Sequence, residues 1–441
     1  MYLRCYVNLY IYIMQEHFLH YIWKFRKFDF GKARTVHNSP LQILDVGVHN
    51  YNSGPDFFNA KIKIEDQIWA GNVEIHLKSS DWYLHKHEID PNYDNVILHV
   101  VWEDDVAIYR KDNSIISTLQ LKGLILETTL SSYRELLIAP NNKWINCATD
   151  FNKFDEFDIK NYQYSLYLER LNNKSHLILE LLRNSENNWE AVLFKLLAKN
   201  FGLNINGSAF LSMASSISFQ TVQKLRSSQQ RLEAVFFGQS GLLDKKIDND
   251  FFVSLDKEYA FARLKHHLEN SYVERAKYFR LRPDNFPNIR LSQLASLYNK
   301  KAHLFSELME VKGLQDVYQI FSVQPSAYWQ SHYSFEKEHS AKPKFLTHDF
   351  IDLLIINTII PLKFCYNKAR GISDIEELLD LIHQIKSEKN KISLGFNNLK
   401  SSTITNALHS QAMLHLKQEY CDKNECLQCR LGNKILSGII Q

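Results

Sequence analysis

Residues 70–82 read Ala70-Gly71-Asn72-Val73-Glu74-Ile75-His76-Leu77-Lys78-Ser79-Ser80-Asp81-Trp82, and the period of this run organises the chain around it. Val73, Ile75 and Leu77 alternate with Glu74, His76 and Lys78, so an extended backbone turns the apolar three to one side and the ionisable three to the other. One strand face thus carries an acid, a base and a cation. Buried without partners, such groups cost several kcal/mol per ion, a large share of the roughly 5–15 kcal/mol that holds a domain together. A buried face therefore calls for a compensating ion. A solvated one makes Glu74 and Lys78 ordinary surface charges on a half-buried strand.

The flanking sequence reads as more of the same sheet. Apolar or alternating runs at Ile43 to Val48, Ala60 to Ile64 and Val96 to Trp102 predict strands, and the last is apolar except for His99, as in a central strand covered on both faces. A lone histidine there needs a partner. Upstream, Phe18, Ile22, Phe25 and Phe28 recur at helical spacing, with Glu16, His20, Lys24 and Lys27 opposite. With the partly alternating segment Ile115 to Thr129 these predict a mixed α/β unit over residues 14–150. The polar stretch Pro140-Asn141-Asn142-Lys143 marks its end. Beyond it, Leu-rich segments such as Asn161 to Arg183, Trp189 to Ala198, Leu291 to Val311, Phe350 to Asn367 and Ser401 to Gln418 predict a mostly helical region over 151–441. The expected class is α+β.

Composition agrees with a folded, helix-rich chain. Its 441 residues are 45% hydrophobic and 23% charged, with only 14 Gly and 9 Pro, too few for a turn-rich all-β architecture. The formal charge of +3 is too slight to argue by itself for a nucleic-acid or membrane partner. Met1 to Ile13 is apolar but too short to cross a bilayer and lacks a small-residue cleavage site, so it reads as an upstream extension ahead of a start at Met14. No other apolar run approaches the roughly 18 residues of a membrane helix, and the expectation is a cytoplasmic protein with no membrane partner. Phosphate-binding glycine loops, a nucleophile elbow and a zinc-protease helix are all absent from the sequence. The segment Phe279 to Arg290 carries three arginines between two prolines, and reads either as a salt-bridged connector or as a strip along a phosphate backbone.

Two constellations carry candidate chemistry. In the first, Gly54-Pro55-Asp56-Phe57 precedes the strand of Glu74, and Asp56 and Glu74 together offer hard oxygen ligands to magnesium or manganese, with His76 and Lys78 beside them as base or cation. The chemistry this predicts is metal-assisted hydrolysis of phosphodiesters. Histidines crowd the same region: 8 of the 18 fall within residues 14–103, and Asp81-Trp82-Tyr83-Leu84-His85-Lys86-His87-Glu88 places more of them where a loop hangs beside the strand's end. In the second, Cys421, Cys426 and Cys429 follow a C-x4-C-x2-C spacing that lets three thiolates converge on one metal, as zinc or an iron–sulfur cluster. Cys147, in Trp144-Ile145-Asn146-Cys147, is the preferred fourth ligand, with Cys365 and His415 as competitors.

The order helix, strand, strand beginning at Pro55-Asp56, strand carrying Glu74, then helix or loop and the strand at Val96 resembles the core of the PD-(D/E)XK nuclease superfamily. The resemblance covers about residues 14–110 and implies a restriction-endonuclease-like domain in which Asp56 and Glu74 bind magnesium and Glu16 supplies the acid that some members carry on the first helix. It departs at the residue two after Glu74. That residue is His76, and the lysine comes at Lys78, so either His76 takes the lysine's role or Lys78 reaches over from the same face. Some nucleases of this superfamily also pin their domain with an iron–sulfur cluster on one distant and three C-terminal cysteines, a set similar to Cys147 with Cys421, Cys426 and Cys429, although here the distant cysteine follows the acidic residues. The whole chain, including Trp69 to Trp82 and Cys426-Leu427-Gln428-Cys429-Arg430-Leu431-Gly432, also resembles a bacterial family described only as a domain of unknown function, a likeness that implies no activity.

The leading expectation is a metal-dependent nuclease acting on DNA. A non-catalytic binding or scaffold protein with a structural metal site is the alternative, and a glycosidase using Asp56 and Glu74 as paired carboxylates beside Trp69, Trp82 and Tyr83 is a third.

Overall fold

A computed structural model describes residues 14–138 and 143–438, so the expected extension 1–13 and residues 140–142 of the expected boundary lie outside the described residues. The chain is a mixed α+β protein whose contacts divide it into two compact units. The first runs up to Tyr162 and takes in residues 398–400 and the chain from Leu416 onward; the second comprises 163–397 and 401–415. The cysteine-bearing tail thus belongs to the same unit as Cys147.

In the first unit, helix α1 (Glu16–Lys24) buries Phe18, Leu19, Tyr21, Ile22 and Trp23. It ends earlier than the apolar period suggests, because Arg26 adopts a left-handed φ of 52° that no helix continues through, and Phe25 is left exposed. The sheet comprises β1 (Leu41–Asp45), β2 (Val48–His49), β3 (Phe57–Ile64), β4 (Gln67–Lys78), β5 (Val96–Glu103) and β6 (Thr118–Gln120). Its order is β1-β3-β4-β5-β6, with β2 also pairing β3. The pairs β1–β3 and β3–β4 are antiparallel, β4–β5 and β5–β6 parallel. Between β4 and β5 lie the short helix α2 (Asp81–Leu84) and a turn.

β5 is buried from Val96 to Trp102, as its apolar run demands of a strand with neighbours on both edges. Two local features bend the sheet near Asp56. The β3–β4 register shifts between Phe57 and Ala60, where Asn59 takes a φ of 58°, and Gly71 lets β4 approach β5 so closely that a Cβ there would stand 2.5 Å from Ile97 Cγ2 and 2.6 Å from the Asn95 carbonyl oxygen. The segment Ile115 to Thr129 is only partly strand: β6 is three residues long, and α3 (Glu127–Tyr133) starts within it.

The second unit is helical. α4 (Glu156–Arg183) begins in the first unit and supplies the opening helix of the second, followed by Trp189–Phe201, Leu203–Ser215, Gln229–Gln239, Asp250–His266 and Pro287–Lys300 among others. Asn188, Ser218, Ser228, Asn249 and Thr347 cap helix starts with their side chains. The expected helix Leu291 to Val311 is two, Pro287–Lys300 and Leu304–Glu310. Across Phe350 to Asn367 the chain stays helical despite Pro361, because a π turn at Ile355–Ile359 absorbs the lost donor. In the arginine-rich segment Pro287 opens a helix, and buried Arg290 bonds Asn285 (2.6 Å) and Gln293 (2.9 Å) with its guanidinium 3.7 Å above Phe350, while Arg280 and Arg282 are exposed.

Candidate metal centre

Asp56 precedes β3, Glu74 and His76 sit on β4, Glu16 and His20 on α1, His99 on β5, and His85 and His87 in the turn after α2. The antiparallel β3–β4 pairing sets Asp56 against Glu74. The Asp56 amide donates to Glu74 Oε2 (3.1 Å), while the Ile75 amide donates to Asp56 Oδ2 (2.9 Å). His20 Nε2 stands 3.3 Å from Asp56 Oδ2 and 3.8 Å from Glu16 Oε1. Burial, and then repulsion from Asp56, pushes the Glu74 carboxyl up to about 9 and that of Glu16 up to about 7. The three acids therefore share a poorly solvated patch whose crowding favours the protonated forms of Glu74 and Glu16.

The polar face of β4 is buried at two of its three positions. Glu74 and His76 side chains are 6% and 1% exposed, but Lys78 is 39% exposed and its ammonium lies 4.0 Å from Asp105. The structure brings Asp56, Glu74 and His76 together and sends Lys78 to the rim. His76 Nε2 lies 3.5 Å from Glu74 Oε1 and its Nδ1 2.8 Å from His99 Nε2, which supplies the partner that a histidine on β5 requires. His85 Nδ1 is 3.1 Å from His76 Nε2, and His87 Nε2 is 3.3 Å from Glu74 Oε1. Burial, reinforced by the neighbouring imidazoles, lowers His76 to about 3 and His87 to about 4, and drives His99 well below the usual range. These rings are neutral, with lone pairs available.

Among the described residues, two groups of three offer ligand atoms all within 4.8 Å of one another: Glu16, His20 and Asp56, and His76, His85 and His87. Glu74 contacts members of both. His20 Nε2 and His87 Nε2 are buried and make no hydrogen bond among the described residues, and each stands 3.3 Å from a carboxylate oxygen. The carboxylates of Asp56 and Glu74 fit magnesium or manganese, and the adjoining imidazoles shift the preference toward manganese or softer ions. On the α1 side a cleft of about 550 Å³ is lined by His17, His20, Lys24, His49, Tyr51 and Lys423, among others.

The second constellation assembles in the same unit. Cys147, Cys421, Cys426 and Cys429 carry free thiols, and repulsion from each of the other three adds to burial in raising Cys147 far above the usual thiol range. Burial also raises Cys429, and raises Cys426 to about 11. Polar groups already face the sulfurs: Tyr162 donates to Cys429 (3.6 Å), Asn146 to Cys426 (3.5 Å), and the Leu431 and Gly432 amides bond Cys429. Gly432 is required where the last helix, Arg430–Leu436, crosses the tail, since a Cβ there would meet the Cys426 carbonyl oxygen at 2.0 Å. Of the competing fourth ligands, His415 pairs with Glu169 (3.3 Å) and Cys365 is hydrogen-bonded to Ser175, all within the second unit.

The sequence alone assigns no role to His20, His85 or His87. The available signal was the pair His85-x-His87 directly after a strand with an ionisable face. A family model described as Protein of unknown function (DUF2851) matches residues 16–391. No curated protein and no solved structure matches the chain.

Proposed function

The chain belongs to that family, whose description names no activity, and we propose from its own residues that it is a metal-dependent nuclease hydrolysing phosphodiester bonds in DNA. The observation that carries this is the contact between Asp56 and Glu74, two acids 18 positions apart: the Glu74 carboxyl accepts the Asp56 amide, and the Asp56 carboxylate accepts the amide of Ile75, next to Glu74. The element order supports it: apart from the two-residue β2, the chain runs α1, β1, the strand after Asp56, the strand of Glu74, α2, then a parallel strand at Val96, the order that the nuclease superfamily resemblance calls for.

Asp56 and Glu74 would hold magnesium or manganese, which supplies positive charge at a phosphoryl oxygen and acidifies water. His20, against Asp56 and lining the cleft, is placed to take the proton of an attacking water. His76, at the lysine's position, is too deeply enclosed to reach substrate and instead orients the Glu74 carboxylate from 3.5 Å. Lys78 takes no part. In the cleft, Lys24 and Lys423 offer charge to a phosphate backbone and the exposed rings of Tyr51 and Phe25 offer stacking surface, the pairing of features used on single strands. The four cysteines act as a clip for zinc or an iron–sulfur cluster that ties the tail to Cys147.

The test is incubation with linear and single-stranded DNA in magnesium or manganese, beside Asp56→Ala and Glu74→Ala variants. Cleavage by the wild type that both substitutions reduce by at least a hundredfold is expected. Cleavage that survives both removes the site, and no cleavage by the folded, metal-supplied wild type leaves the non-catalytic reading in place.

A further inference from the structure

The imidazoles beside Glu74 are more than neighbours of the carboxylate centre. His76, His85 and His87 offer ligand atoms all within 4.8 Å of one another, with 3.1 Å between His76 Nε2 and His85 Nδ1, and Glu74 Oε1 lies beside them, 3.5 Å from His76 Nε2 and 3.3 Å from His87 Nε2. Ligands about 2.0–2.2 Å from a tetrahedral zinc stand about 3.3–3.5 Å apart. The contacts of Glu74 Oε1 with His76 and His87 have that spacing, and the His76–His85 distance of 3.1 Å is close to it.

Hydrogen bonding alone accounts for only part of it. A chain of imidazoles can run from His99 through His76 to His85, yet His87 Nε2 is buried, faces a carboxylate oxygen, and makes no hydrogen bond among the described residues. The backbone also supports convergence: Lys86 adopts a left-handed φ of 61°, and this non-glycine residue in an unfavourable region turns His85 and His87 toward the same strand. His87 is held in place by stacking on Tyr93 with centroids 3.7 Å apart, and His76 by its hydrogen bond to His99, contacts of the kind that fix the orientation of metal ligands.

We propose that His76, His85, His87 and Glu74 form a second metal site, one that takes a zinc-class transition metal. Three imidazoles and one carboxylate suit such an ion and not magnesium or calcium, which take oxygen ligands. Glu74 then turns Oε1 to this site and Oε2 toward Asp56, bridging two centres; that bridging role rests on the nuclease reading, whereas zinc binding does not.

The experiment counts zinc per chain by elemental analysis after metal-free, full-length protein is dialysed against zinc, for wild type, Asp56→Asn and the double variant His85→Gln/His87→Gln. The double variant should bind one zinc fewer than wild type, because zinc at the cysteines or beside Asp56 is common to both and cancels; Asp56→Asn reports separately on zinc held beside Asp56. Circular dichroism checks folding, and the single variant His85→Gln, on an exposed loop, should weaken the zinc by about tenfold or more. Equal counts in wild type and double variant overturn the site. Zinc bound as expected without DNA cleavage retires the nuclease reading and leaves this site standing.

Discussion

Glu74 shows how one side chain can serve two sides of a strand's surroundings. One carboxylate oxygen accepts the Asp56 amide and the other faces two imidazoles, so the residue is fully engaged although it sits in a buried patch. Glu233 in the helical unit offers a contrast, because its carboxyl is buried within a purely structural network. Ser292, Ser326 (3.1 Å) and Gln229 (3.2 Å) donate to it, yet burial outweighs them and raises it to about 7. A carboxyl whose folded value lies above its unfolded value of about 4.5 binds its proton more tightly when folded, so its contribution is complete below pH 4.5 and is lost as the pH rises toward 7. Stability of the second unit should therefore fall across that window by no more than a few kcal/mol. Glu233→Gln should flatten the dependence, as read from urea melts at pH 5 and pH 7.5.

At the scale of elements, close approaches decide where side chains point. Gly71 brings β4 against β5, and the bulge at Asn59 re-aims the start of β3 at Asp56. Gly71→Ala drives a methyl into Ile97 and the Asn95 carbonyl, and should cost about 1–3 kcal/mol in a thermal or denaturant melt. A loss within 0.5 kcal/mol would show that the strands part easily. Much of the element level was legible: the polar and apolar alternation of β4, the continuous apolar run of β5 and the helical periods after residue 155. What was not legible were the ends. The apolar stripe of α1 runs on to Phe28 in sequence, but Arg26 leaves the helical region, and a period has no means of reporting one residue's φ.

For the molecule as a whole, the tail from Leu416 joins the unit that holds Cys147, more than 270 positions away from Cys421 in the chain. If a metal sits on these thiols, Cys147→Ser should lower the metal recovered with the purified protein by at least half and lower the melting temperature. Iron with sulfide absorption in the visible spectrum identifies a cluster, and colourless protein with zinc identifies a structural clip. Protein that carries neither metal removes the clip. The thiols are protonated in the metal-free state, since burial and mutual repulsion raise them, so metal uptake should release protons and weaken as the pH falls.

By itself the sequence determined the α+β class, the strand face bearing Glu74, His76 and Lys78, and the local C-x4-C-x2-C spacing, because side-chain periodicity and short spacings are properties of neighbouring residues. Only the tertiary structure decided that Asp56 and Glu74 meet, that His20 and His85 to His87 join them while Lys78 turns to Asp105, and that Cys147 rather than Cys365 or His415 lies among the C-terminal cysteines. A strand's period tells which side a residue faces and not which distant segment will cover that side. That choice is made by register, bulges and chain return, which depend on contacts between residues far apart in the chain.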